Sequence, residues 1–181
     1  MSADRAIRIA VGVLGVVILV VLIAVALRPR EPVAVQLRDA GGTPVGVARL
    51  TPDPAGGTNI TVQARGLTPG EHGIHIHEVG KCDPPDFESA GSHFNPFKAQ
   101  HGLENPDGPH VGDMPNLPVS GNGTVANYQV TISATLDSGR ETSLLSSNGS
   151  ALVIHANEDD QMTNPAGNSG ARVACGVIAP G

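Results

Sequence analysis

Tryptophan is absent from this chain of 181 residues, and aromatic carbon rings come from Phe87, Phe94, Phe97 and Tyr128 alone. A large aromatic core is therefore excluded. Basic side chains are scarce after the first 30 positions: residues 31–181 carry 16 acids against 7 bases, a net charge of −9. Phosphate binding needs clustered Lys and Arg, so a nucleic-acid role is excluded as well. Cysteine is nearly missing, with Cys82 and Cys175 standing 93 positions apart. What the chain has in abundance is 23 Gly and 15 Pro. So many breakers exclude a helical bundle and argue for a loop-rich β domain.

The apolar residues are unevenly spread. Ile9 to Leu27 is a run of 19 residues without a polar side chain, preceded by Arg5 and Arg8. At helical rise such a run spans a bilayer hydrocarbon core, and apolarity on every face argues against a helix packed in a soluble core. It is read as a retained membrane anchor or a cleaved signal peptide. Ala24-Val25-Ala26 would suit a signal peptidase, whereas the length of the run favours the anchor. Arg28 and Arg30 beyond the run match Arg5 and Arg8 before it, so basic residues do not set its orientation. Two sparse cysteines behind an export signal read as one disulfide in an oxidising compartment, with two separate free thiols as the alternative. The expected organisation is an anchor or signal over residues 1–27, a linker over 28–32, and one extracytoplasmic domain over 33–181.

Within that domain short β-favouring runs recur at Val33–Leu37, Val45–Leu50, Asn59–Ala64, Gly73–Val79, Thr124–Leu136, Ala151–His155 and Arg172–Ile178. Turn residues separate them, among them Gly41-Gly42, Pro69-Gly70 and Asn148-Gly149. Alternating polarity and regular turns predict a β-sandwich or barrel. Residues 80–122 and 156–171 break the rhythm, being polar and rich in Gly and Pro. Loops of that length are usually functional or disordered.

The histidines fall in and around these loops. His75 and His77 sit two apart on a strand, so both imidazoles share one face and make half a metal site. Two surface histidines would give the same pattern. His93, His101, His110 and Asp113 together supply the ligand set of a closed tetrahedral zinc, which would order a loop that burial cannot. His155, taken alone at the end of an apolar strand, reads as structural.

Four segments taken together resemble the copper/zinc superoxide dismutases: Gly73-Ile74-His75-Ile76-His77-Glu78, Gly91-Ser92-His93-Phe94-Asn95-Pro96, His110-Val111-Gly112-Asp113 and Gly170-Ala171-Arg172-Val173-Ala174-Cys175-Gly176-Val177-Ile178. The resemblance runs from about Val33 to Ile178 with the segments in the family's order. It implies an all-β fold, an eight-stranded Greek-key β-barrel with long metal-bound loops. It implies copper on His75, His77, His93 and His155, and zinc on His93, His101, His110 and Asp113, with the His93 ring shared. It further implies that Asp159 hydrogen-bonds His75 and His101, and that Cys82 and Cys175 form the family's disulfide.

The implied reaction is disproportionation of superoxide to oxygen and hydrogen peroxide. His93 would hand over a proton, and Arg172 would draw in the anion beside the copper. Residues 156–171 contain no Lys or Arg, where family members commonly carry guiding charges, so steering is expected to be weak or to come from elsewhere, such as Lys81 or Lys98. A non-catalytic metal-binding or copper-delivery module is the main alternative, and a tethered structural module with incidental histidines the other. A homodimer is compatible with the resemblance and not fixed by it.

Overall fold

The computed structural model describes residues 32–179. The expected anchor or signal and all but the last residue of the linker lie outside the described residues. Three strands of alternating polarity form an antiparallel meander: β1 (Val33–Asp39), β2 (Pro44–Pro52) and β3 (Thr58–Arg65). Val35, Leu37, Ala48, Leu50, Ile60 and Val62 point into the core, while Gln36, Arg49 and Gln63 face solvent. This is the period-2 pattern read in the sequence. The β1–β2 turn is closed by Asp39, whose Oδ1 accepts the backbone N–H groups of Gly41 and Thr43 at 2.9 and 2.8 Å.

The other strands are β4 (Gly70–His72), β5 (Ile74–His77), β6 (Leu117–Val119), β7 (Thr124–Ile132), β8 (Ser150–His155) and β9 (Arg172–Ile178). Seven of the nine described strands form one curled antiparallel sheet in the order β5-β8-β9-β1-β2-β3-β7, and β4 pairs with β6. β4 and β5 follow one another across Gly73. Taken as one bent strand, they join the two sheets and bring the strand number to the expected eight.

β8 is buried along its whole length. Leu152 and Ile154 pack into the main core with Ile74, Ile76 and Ile178, while Ala151 and Val153 meet Phe87, Ala90 and Cys175 on the other side. A strand covered on both faces explains why its sequence reads as a continuous apolar run. Between Ile154 and His155 the register against β9 shifts, so that Ile154 opposes Ala174 and His155 opposes Arg172. Val173 is the extra residue of this bulge. Such irregularities re-aim side chains beside functional sites.

Three expectations need adjustment. The run Gly73–Val79 shortens to Ile74–His77, because Val79 bonds to Ala90 in a loop instead of a strand partner. β7 stops at Ile132; Ala134 and Leu136 are buried without being in a strand. Residues 80–122 are not structureless, since they hold a 3-10 turn at Glu88–Ala90 and β6. That turn brings Ala90 over β8, a long-range contact that local sequence does not encode.

Candidate metal centre

Cys82 and Cys175 form a disulfide with Cα atoms 5.7 Å apart, which pins the loop after Cys82 to β9. That loop leads along the chain to His93, around which the histidines gather. Backbone bonds knit three segments together here: Phe94 N–H donates to Ile76 O (2.8 Å), Ile76 N–H to Gly112 O (2.9 Å), and Gly112 N–H to Phe94 O (2.9 Å). A Cβ on Gly112 would fall 2.5 Å from Ile76 O, so only glycine permits this approach. His75, His77, His93, His110 and Asp113 are thus held by one backbone knot.

All the singled-out histidines are buried, and each has no more than 6% of its surface exposed. The reading of His75 and His77 as two surface residues is excluded. His93 lies at the centre of the group. Its ring centroid is 4.0 Å from that of His75, 4.9 Å from His77, 5.1 Å from His101, 5.5 Å from His110 and 6.1 Å from His155.

The outer hydrogen bonds fix which nitrogen of each ring is free. His77 Nδ1–H donates to Gly91 O (2.9 Å), and His155 Nδ1–H donates to Gly170 O (3.1 Å). His75 Nε2–H donates to Asp159 Oδ2 (2.6 Å), and His101 Nε2–H donates to Asp159 Oδ1 (3.0 Å). One carboxylate thereby orients two rings. What remains is His75 Nδ1 and the Nε2 atoms of His77, His93 and His155, all buried and without a hydrogen-bond partner. These four residues form one ligand group. Buried lone pairs with no partner are costly unless something binds them, and an all-imidazole set suits copper.

Around Asp113 the arrangement differs. Its Oδ1 lies 3.0 Å from His93 Nδ1, 3.1 Å from His101 Nδ1 and 3.2 Å from His110 Nδ1. An N/O tetrahedron about zinc with bonds near 2.0 Å has edges of about 3.3 Å. The Nδ1 atoms of His101 and His110 are nonetheless left without a hydrogen-bond partner, as expected of lone pairs aimed at a shared centre. Grouping by proximity alone places His75 with His93, His101 and Asp113. His110 is the better member, because His75 Nε2 is already taken by Asp159 and its Nδ1 belongs to the all-histidine group. The donor sets fit a copper ion and a zinc ion sharing His93.

The electrostatics agree with ligand duty. Burial pulls the metal-free rings well below the usual histidine value, His77 to about 2, His155 to about 3 and His93 to about 4. Uncharged rings are ready ligands. His101 is the exception: burial acts on it too, but the carboxylates of Asp113 and Asp159 outweigh it and raise the ring to about 9, so it must give up a proton to bind a metal. Burial raises the two carboxyls, yet their histidine partners hold both well below the ordinary carboxylate range.

Arg172 is partly buried and clamped, with Nη1 donating to Phe87 O (2.6 Å) and Nη2 to Gly91 O (2.7 Å). Gly91 O thus carries both Arg172 and His77, which sets the guanidinium beside the all-histidine group. Sequence reasoning did not find these two carbonyls, nor Asn116, which holds the backbone of Asp159 through both its amide atoms (2.8 and 2.9 Å). The His72 ring spans the carbonyls of His155 (2.6 Å) and Thr68 (2.8 Å). Backbone acceptors and lone amides leave no sequence signal.

The family model for copper/zinc superoxide dismutase matches residues 45–178. Cu-Zn superoxide dismutase 1 of Aquifex aeolicus is 49% identical over 138 residues, covering 76% of this chain and 81% of the relative. The superoxide dismutase-like protein YojM of Bacillus subtilis is 43% identical over 145 residues, 80% of this chain and 74% of its own. Among solved structures, a SOD-like protein from Bacillus subtilis superposes with a TM-score of 0.77 at 43% identity, over 80% of this chain and 97% of that one. The Cu/Zn superoxide dismutase from Brucella abortus gives 0.64 at 31% identity, over 82% and 99%. The chain belongs to the copper/zinc superoxide dismutase family.

Proposed function

We propose that His75, His77, His93 and His155 hold copper, that His93, His101, His110 and Asp113 hold zinc, and that the chain uses this centre to disproportionate superoxide into oxygen and hydrogen peroxide. The observation that carries the reading is the set of partnerless nitrogens converging from both sides on the His93 ring. When bound, copper supplies the one-electron couple, and zinc supplies charge without redox chemistry.

The chain's own residues do the rest. Arg172 has N–H groups beyond the two given to Phe87 O and Gly91 O, and these can bind an anion. Two superoxide anions and two protons yield one oxygen and one peroxide. His93 Nε2 can hold one of those protons next to the reacting anion, and solvent supplies the other. Nδ1 of the same ring faces Asp113 Oδ1 at 3.0 Å and is the nitrogen that zinc would take, which would keep the ring from rotating as the proton comes and goes. A non-catalytic module would lack a ligand or the arginine, and every matched position is filled.

The disulfide and the bacterial relatives support an extracytoplasmic location. Among the described residues no helix is long and apolar enough to cross a membrane. The run Ile9–Leu27 supports a tether that holds the domain against the outer side of the membrane. Metal analysis of loaded protein should give one copper and one zinc per chain, with rapid superoxide decay. His155→Ala should lose turnover while keeping zinc. Loaded protein that removes superoxide no faster than buffer would refute the proposal.

A further inference from the structure

The two ligand groups are linked outside the His93 ring by the carboxylate of Asp159, and a glycine without room for a side chain faces that carboxylate. Gly167 has φ 59. Its turn is closed by its N–H donating to Thr163 O (2.7 Å) and by Asp160 N–H donating to its carbonyl (2.9 Å). A Cβ at this position would fall 1.7 Å from Asp159 Oδ1, 2.5 Å from its Cγ and 2.7 Å from His101 Nε2. The carboxylate would have to retreat by more than an ångström. It has nowhere to go, since Asp159 is 1% exposed and Asn116 grips its backbone. The next residue, Asn168, has φ 54 and carries a full side chain. Backbone shape alone therefore does not demand glycine in this turn, whereas the space beside Asp159 does.

We propose that Gly167 is a positioning residue: its missing side chain keeps the Asp159 carboxylate on His101 and His75, and so keeps the free nitrogens of both rings aimed at their metals. The proposal rests on the assignment of His101 to zinc. Loss of an outer partner of a ligating histidine typically weakens metal binding about 10–100-fold.

Copper- and zinc-loaded protein can be challenged with a chromogenic zinc chelator, with zinc release followed for wild type, Gly167→Ala, Asp159→Ala and the double variant. Gly139→Ala serves as the control, because Gly139 has φ 82 with nothing within 4 Å of its Cβ position and reports backbone strain alone. Gly167→Ala and Asp159→Ala should each release zinc about 10–100-fold faster than wild type. The double variant should be within about twofold of Asp159→Ala, since the closest clash is with the carboxylate and, once that is gone, the His101 ring has lost the partner that the added methyl group would disturb. Gly139→Ala should behave as wild type. Release from Gly167→Ala at the wild-type rate, or multiplied effects in the double variant, overturns the proposal. If Gly167→Ala alone does not accumulate folded, the double variant, relieved of the clashing carboxylate, should; its failure to fold also counts against the proposal. Wild type that takes up no zinc would instead overturn the site assignment.

Discussion

Replacing Asp113 by alanine should destabilise the domain even when no metal is bound. Oδ2 of Asp113 accepts the backbone N–H groups of Gly102 and His110, both at 2.9 Å, and the residue is 4% exposed. Alanine leaves both buried donors without an acceptor. Hydrogen bonds to a charged acceptor are worth about 1.5–3 kcal/mol each, so the loss is on the order of 3–6 kcal/mol. Domains of this size have roughly 5–15 kcal/mol in all. At about 2–4 °C per kcal/mol, the metal-free melting temperature should fall by roughly 6–24 °C. Calorimetry after chelation isolates this share. A second scan with both metals adds the stabilisation that zinc gives wild type and the variant forgoes. A metal-free variant melting within about 3 °C of metal-free wild type would refute the argument that this carboxylate orders the loop.

Two further outcomes follow from the charges. His77, His93 and His155 are depressed to about 2, 4 and 3 by burial in the metal-free protein, so the stability they contribute is present above the ordinary value of 6.5 and is lost as pH falls below it. His101, raised to about 9, works in the opposite sense: its contribution is full below 6.5 and disappears as pH rises through about 9. Metal-free stability, measured by urea unfolding, should peak near neutrality, and a steady rise through pH 9 would contradict this. Arg172, the residue proposed to meet superoxide, has Glu88 and Asp86 close by, and residues 156–171 hold no base. The second-order rate should depend only shallowly on ionic strength, and Glu88→Gln should raise it about twofold at low salt. Stopped-flow assays that show a steep fall with salt would contradict that account.

The sequence alone determined the candidate ligands and, through four ordered segments, the family resemblance. His75 and His77 share one face by strand spacing, a pattern two surface histidines would also give, and it is the order of the Gly73–Glu78, Gly91–Pro96, His110–Asp113 and Gly170–Ile178 segments that carries the family. Candidate ligands are legible because few side chain types can bind copper or zinc, although His155 by itself reads as structural and joins the set only through the resemblance. The β-rich, loop-heavy architecture is legible for a similar reason, since Gly, Pro and alternating polarity act locally. Tertiary structure decided how each ring is aimed. The Gly91 carbonyl shared by His77 and Arg172, the grip of Asn116 on Asp159, the bulge at Val173 and the empty space beside Gly167 all join residues far apart in sequence. Backbone carbonyls are the same in every residue, and a space is no residue at all, so neither leaves a mark in the order of amino acids until the chain has folded.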